Sequence, residues 1–291
     1  MNHLYLVMAA ESKWVFRVYT YGWRTVDEIS EEIRLLKILK ENDVSVAYPI
    51  LSKSNNEMLS LAAPEGTRYG VLFSYAAGRK DPRFAAATSF HIGKALARMH
   101  SLTTGLELRR ITYTPTVMFD DSFAFVTGLF GTENAEVKRI RQLNSFLKRR
   151  YQQVDGSAFR RGVVHLDVWF DNLHIKEESE ITFFDFDFCG NAWLIHDVAY
   201  FLFQLYATNN ESDYHTKANA FFEGYATIHS PTKDELDFIP YAALGVLSFY
   251  LGVQCRTFDT WSNVFLNEDH LKRFVGLLDR WAAFHKLTID R

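Results

Sequence analysis

Cysteine is scarce. The chain holds only Cys189 and Cys255, too few for a disulfide framework or a four-ligand zinc site. Its 10 histidines never fall into the HxH or HExxH spacing that sets two rings on one metal. A sustained basic face is missing as well. The densest basic stretches, Lys148-Arg149-Arg150 and Arg160-Arg161, flank a short segment, and the formal net charge is -3. A nucleic-acid partner is therefore not expected. No run approaches the roughly 20 apolar residues that cross a bilayer. The opening MNHLYLVMAAES has a short apolar stretch without a basic flank, so neither a secretory signal nor a membrane partner is expected. A reducing cytoplasm is the expected location. Repeats, low-complexity tracts and a GxGxxG motif are all lacking, and no residue pattern speaks to oligomeric state.

What is present reads as a soluble globular enzyme. Hydrophobic residues make up 48% and charged ones 23% of 291 residues, enough to bury a sizeable core. The 25 Phe and 14 Tyr are spread along the chain and indicate thick cores. Residues 3–8 and 13–19 read as a β-hairpin. Residues 25–42 place Ile29, Ile33, Leu36 and Leu39 at helical spacing. Ile50-Leu51, after Pro49, reads as a strand entering a turn at residues 53–56. Strands follow at residues 58–62 and 69–73, and residues 74–78 form the boundary of this β-rich part. A helix then ends near His100, a second covers residues 135–151, a compact β section spans residues 162–188, and the last hundred residues are helical. The expectation is an α+β fold with a small β-rich N-lobe over residues 1–75 and a larger helical C-lobe over residues 76–291.

The informative segment is His165-Leu-Asp167-Val-Trp-Phe-Asp-Asn172, with Asp185 thirteen residues after Asn172. A phosphoryl-transfer loop needs one carboxylate at the acceptor hydroxyl. It also needs an amide oxygen and a second carboxylate on a magnesium ion. A hairpin turning near Glu178 would bring Asn172 and Asp185 to the same end, and such hard oxygens suit Mg²⁺. The bland alternative is that Asp167 and Asn172 only satisfy turns. Asp185-Phe-Asp187 is also a D-x-D pair. Phosphatases of the haloacid-dehalogenase type need Thr where Cys189 stands, so that reading fails. Asp187 is either a second metal ligand or a turn residue. Residues 193–206 read as a helix apolar nearly all round. The Asp197 carboxylate inside it needs partners, and backbone amides of the 165–172 loop are the natural ones.

The phrases Val164-His-Leu-Asp-Val-Trp-Phe-Asp-Asn172, Phe184-Asp-Phe-Asp-Phe-Cys189 and Asp197-Val-Ala199 resemble the aminoglycoside-phosphotransferase and choline-kinase-like family. The similarity is greatest to the branch of type II homoserine kinase and stress-response kinase A. Val15-Phe-Arg-Val-Tyr19 and the helix carrying Glu32 are similar to its phosphate-binding strand and glutamate-bearing helix. The resemblance covers most of residues 3–206. It implies a protein-kinase-like two-lobed fold and transfer of phosphate from ATP, with Mg²⁺, to a hydroxyl of a small molecule. It further implies Asp167 as the catalytic residue and Asn172 and Asp185 as metal ligands. Arg17, in the usual lysine position, would pair with Glu32 and the phosphates, and residues 69–76, with Phe73, Ser74, Tyr75 and Ala76, would line the adenine pocket. The alternatives are an exposed strand residue for Arg17 and a solvated helix face for Glu32.

In that family a strand and a glycine-containing loop precede the strand found here at residues 3–8, and no counterpart is visible. The expectation is either that the preceding strand is missing from this sequence or that phosphate binding is weakened through lost backbone N–H donors, which keeps a nucleotide-binding pseudokinase as one alternative. A protein Ser/Thr kinase is another, although the metal strand passes to the next helix within about a dozen residues, without an activation loop. Tyr250, Arg256, Trp261 and Trp281 are candidate acceptor-lining residues. The C-terminal acids are too scattered to form an acidic pocket for a polycationic acceptor.

Overall fold

The computed structural model describes residues 2–259 and 263–289. A four-stranded antiparallel sheet in the order β1-β2-β4-β3 opens the chain, built from β1 (His3–Ala9), β2 (Ser12–Val18), β3 (Leu59–Ala63) and β4 (Gly66–Ser74). Alternation sets its register, Arg17 facing Val71 and Val15 facing Phe73. Helix α1 (Val26–Glu41) starts at a capping box in which Thr25 and Glu28 satisfy each other's backbone N–H. Its buried face carries Ile29, Glu32, Ile33, Leu36 and Leu39. A buried Glu in that stripe already asks for a cationic partner.

Ile50-Leu51 is not a strand. Pairing there is limited to an isolated bridge between Pro49 and Phe73, because proline offers no N–H to carry a ladder onward. The same segment ties the small lobe to the large one: Val46 bridges Phe183, with Ala47 N donating to Phe183 O at 2.9 Å.

The remainder is helical around two small ribbons. Helices α2 (Ala86–Thr103), α3 (Ser122–Phe130), α4 (Ala135–Gln153), α5 (Ile195–Thr208), α6 (Glu211–Ala226), α7 (Lys233–Arg256) and α8 (Glu268–Phe284) surround β5 (Arg161–Val164), β6 (Leu173–Lys176), β7 (Glu180–Phe183) and β8 (Gly190–Trp193). Strands β6 and β7 form a hairpin, and β5 pairs with β8. Two readings change. The returning strand stops at Phe183, short of Asp185, and Trp193 belongs to β8 and pairs with Arg161, so α5 starts at Ile195. Helix α7 departs from the expectation that no stretch is apolar enough to cross a membrane: within its 24 residues an 18-residue window of mean hydropathy 1.6 passes by length and composition alone. Two-thirds of that stretch is buried inside the helical core.

Helices α2 and α6 cross at glycine. A Cβ on Gly93 would stand 2.0 Å from Phe221 O, and one on Gly224 would stand 1.8 Å from Phe90 O. Both obstacles are backbone, which yields little. Gly224→Ala is expected to lower Tm by roughly 3–10 °C through overpacking, measured by differential scanning fluorimetry; an unchanged Tm would show that the crossing has slack.

Candidate active site

Strand β5 delivers the chain to His165, and the next residue turns sharply. Leu166 adopts φ 68°, a left-handed conformation that costs an L-residue about 1–2 kcal/mol. The buried Asp197 carboxylate holds it there, accepting the backbone N–H of His165 at 2.9 Å and of Leu166 at 2.6 Å. Asp197 lies in the first turn of α5, where the helix dipole favours negative charge, and it also meets His100 Nε2 at 3.0 Å. His100 is fixed in turn by the Tyr225 hydroxyl at 2.6 Å. His165 uses both ring nitrogens: Nε2–H donates to Phe184 O at 3.0 Å, and Nδ1 accepts the N–H of Asp167 at 3.2 Å. Burial lowers its pKa, in keeping with the neutral ring that this pattern requires.

The loop and the hairpin converge. Asn172 and Asp185 flank the open end of β6–β7, where Phe184 N donates to Asn172 O at 3.1 Å. Asn172 Nδ2 donates to Asp167 Oδ2 at 2.6 Å and to Asp167 O at 3.1 Å, so the amide oxygen is the free acceptor of this side chain. Asp185 (φ 63°) keeps its side chain 40% exposed. Burial, and then the charge of Asp185, pushes the Asp167 carboxyl up to about 7. Asn172 and the hydroxyls of Tyr200 and Tyr250 pull the other way.

Arg17 on β2 reaches Glu32 Oε1 at 2.7 Å and Asp185 Oδ1 at 3.2 Å, so it is a buried cation and not an exposed strand residue. Burial works against its charge, yet Glu32 and Asp185 raise its pKa. Glu32 is fully buried and also accepts from Tyr19 OH at 3.0 Å. Asp187 is committed elsewhere: Trp23 Nε1 donates to its carboxylate at 2.7 Å and Arg24 Nε at 3.3 Å. Against burial, Arg24 and Arg17 hold it at about 2. Its backbone O accepts from Arg24 and Arg110, each at 2.5 Å. That arrangement is an anchor between lobes.

Among the other expected residues, Phe73 is buried with the Arg17 guanidinium 4.9 Å from its ring centroid. Ser74 Oγ accepts the N–H of Tyr48 at 3.0 Å. Tyr75 is exposed beside His174, and Ala76 O accepts from His174 Nδ1 at 2.7 Å. The 73–76 segment thus runs from the sheet to β6. Tyr250 stands at Asp167. Arg256 lies farther out, 5.3 Å from the Trp23 ring centroid. Trp281 is a core residue, fully buried and donating to Pro240 O at 3.1 Å, so it lines no acceptor site. Trp261 falls outside the described residues. Sequence reading missed Trp23, Arg24, Arg110 and Tyr200. A separate cavity of about 330 Å³ lies behind the β5–β8 ribbon, between Tyr151, Trp193 and His196.

The donor set fits a magnesium ion. Among the described residues no three His, Cys, Asp or Glu side chains gather to hold a metal alone. The Asn172 amide oxygen and the Asp185 carboxylate offer two hard oxygens at an open face, the pattern of an ion that takes its remaining ligands from phosphate and water.

Small lobe, loop and hairpin together define a protein of the kinase-like fold. The chain belongs to the phosphotransferase enzyme family APH, whose model matches residues 2–230. Among curated relatives, it is 28% identical over 205 residues to an uncharacterised protein of Synechocystis sp., covering 69% of this chain and 57% of that one. It is 23% identical over 209 residues to the amicoumacin kinase of Bacillus subtilis, covering 70% and 60%. The chain therefore spans less than two-thirds of the length of both. The homoserine kinase of Bradyrhizobium sp. is 24% identical over 251 residues, covering 86% and 75%. Among solved structures, an amicoumacin kinase bound to AMP-PNP and Ca²⁺ superposes with TM-score 0.79 at 21% identity, covering 96% of this chain and 86% of that one. A microcompartment-associated aminopropanol kinase gives 0.74 at 15%, covering 99% and 95%.

A raised carboxyl means that the folded state prefers the protonated acid. Ionising Asp167 costs stability from its unfolded pKa of about 3.9 upward, in full above about 7. Asp167→Asn keeps an oxygen for Asn172 and carries no such cost. In EDTA at pH 8 the variant is expected to melt a few degrees above wild type, a gap of about 1–3 kcal/mol that closes towards pH 4. Melting curves that stay parallel across this range would rule out the shift.

Proposed function

We propose that this protein is an ATP- and Mg²⁺-dependent phosphotransferase that moves the γ-phosphate to a hydroxyl of a small molecule. The observation that carries the reading is the meeting of Asp167, Asn172 and Asp185 at one end of a hairpin, beside the buried Arg17–Glu32 pair. Asp167 accepts the proton of the acceptor hydroxyl as that oxygen attacks, and a carboxyl poised near neutrality suits a general base. Asn172 and Asp185 hold the metal. When bound, Mg²⁺ offsets the charge of the phosphate oxygens during transfer. Arg17, kept in place by Glu32, pairs with the α- and β-phosphates. Residues 73–76 border the adenine, with the nucleotide lobe ending at residue 75. The acceptor lies between the catalytic loop and helices α5 and α7.

Two observations favour a small acceptor over a protein. The chain passes from Asp185 to the start of α5 at Ile195 with only a turn and strand β8 between, leaving no segment for an activation loop. The relatives named above include kinases of amicoumacin and homoserine.

Three measurements on purified protein test the reading. Wild type should melt higher in MgATP than in buffer and release ADP when a suitable alcohol is added. Asp167→Ala should keep the MgATP shift and lose about 10²–10⁴-fold in kcat. Asp185→Ala should lose the shift itself. Full turnover in both variants would refute the mechanism, and a MgATP shift without turnover on any alcohol would favour a nucleotide-binding pseudokinase.

A further inference from the structure

The Tyr250 hydroxyl is sealed from solvent and, although Asp167 lies within its reach, makes no hydrogen bond of good geometry among the described residues. Buried hydroxyls are nearly always paired, because an unpaired one keeps the full cost of losing water. Tyr250 cannot turn away to find a partner. Its ring is stacked on Tyr200 with centroids 5.2 Å apart, and is met edge-on by Phe188 at 5.2 Å and Phe249 at 5.7 Å. Phe188 is itself braced by Trp23, whose indole is tied to Asp187. Held this way, the hydroxyl stands beside the Asp167 carboxyl, short of a well-formed hydrogen bond to it.

This inference rests on Asp167 as the base. We propose that Tyr250 is a positioning residue of the acceptor subsite, its O–H donating to the oxygen of the reacting alcohol. An alcohol oxygen has four directions: its carbon, its proton and two lone pairs. With the proton aimed at Asp167 and one lone pair taken by Tyr250, the second lone pair is left for phosphorus. The oxygen–phosphorus bond then forms as the bond from the γ-phosphorus to the β–γ bridging oxygen breaks; ADP leaves, and the proton rests on Asp167. A neutral amine has a single lone pair. Occupied by Tyr250, it would have none for attack, so this donor makes the subsite one for alcohols even on acceptors that carry both groups.

Tyr250→Phe tests this, with homoserine and 1-amino-2-propanol as probes alongside a wider panel of alcohols. Wild-type turnover with any of them establishes the parent reading, and without it both readings fall. Given turnover, the variant is expected to raise the KM of the acceptor roughly fivefold to tenfold. Its MgATP thermal shift should match wild type, and its metal-free Tm should be equal or higher because an unpaired hydroxyl has gone. An unchanged acceptor KM with reduced kcat would mean that Tyr250 only props Asp167. A lower Tm would mean that the hydroxyl serves the fold. Either result overturns the proposal.

Discussion

A single carboxylate in the core governs the geometry of the site. Asp197 takes two consecutive backbone N–H groups of the catalytic loop, and without them Leu166 has no reason to stay left-handed. That turn aims Asp167 back towards Asn172. The carboxylate has a ring nitrogen of His100 beside it and the start of α5 beneath it. A buried charge so fully provided for costs little to keep and much to disturb. The loop is therefore shaped by the large lobe alone, before any nucleotide arrives.

The small lobe is joined to this platform by charge as well as by a continuous apolar core. Arg17 spans Glu32 and Asp185, Arg24 grips Asp187 by side chain and backbone, and Arg110 reaches Glu32, Glu28 O and Asp187 O. Three guanidiniums face three carboxylates across the cleft floor. Each planar fork bonds in two directions at once, which an ammonium cannot do with the same rigidity. An arginine at position 17 thus does more than replace a lysine: it couples the helix carrying Glu32 to the residue expected to meet the metal.

How much of this was legible depended on sequence distance. The hairpins, helix α1 and the convergence of Asp167, Asn172 and Asp185 could be read because each depends on local periodicity or on a ribbon that closes within twenty residues. Asp197 could be read because a carboxylate in an apolar helix must find donors. Arg24 and Arg110 left no trace, since their partner Asp187 lies 163 and 77 residues away, and a lone arginine in a loop looks solvated. Ile50-Leu51 misled through β-forming composition that Pro49 cancels. Trp281 misled because a large aromatic fills a core as readily as it lines a pocket.

The glycine crossing of α2 and α6 also bears on the site. Gly93 lies about two turns, on the order of 10 Å, before His100 on the same rigid rod, and Gly224 is the immediate neighbour of Tyr225. The contact that sets how deeply the two helices nest therefore sets the span of the Tyr225–His100–Asp197 relay. Cohesion of the scaffold and alignment of the catalytic loop are here one mechanical variable, so sequence drift at either glycine has no route to loosen one while sparing the other.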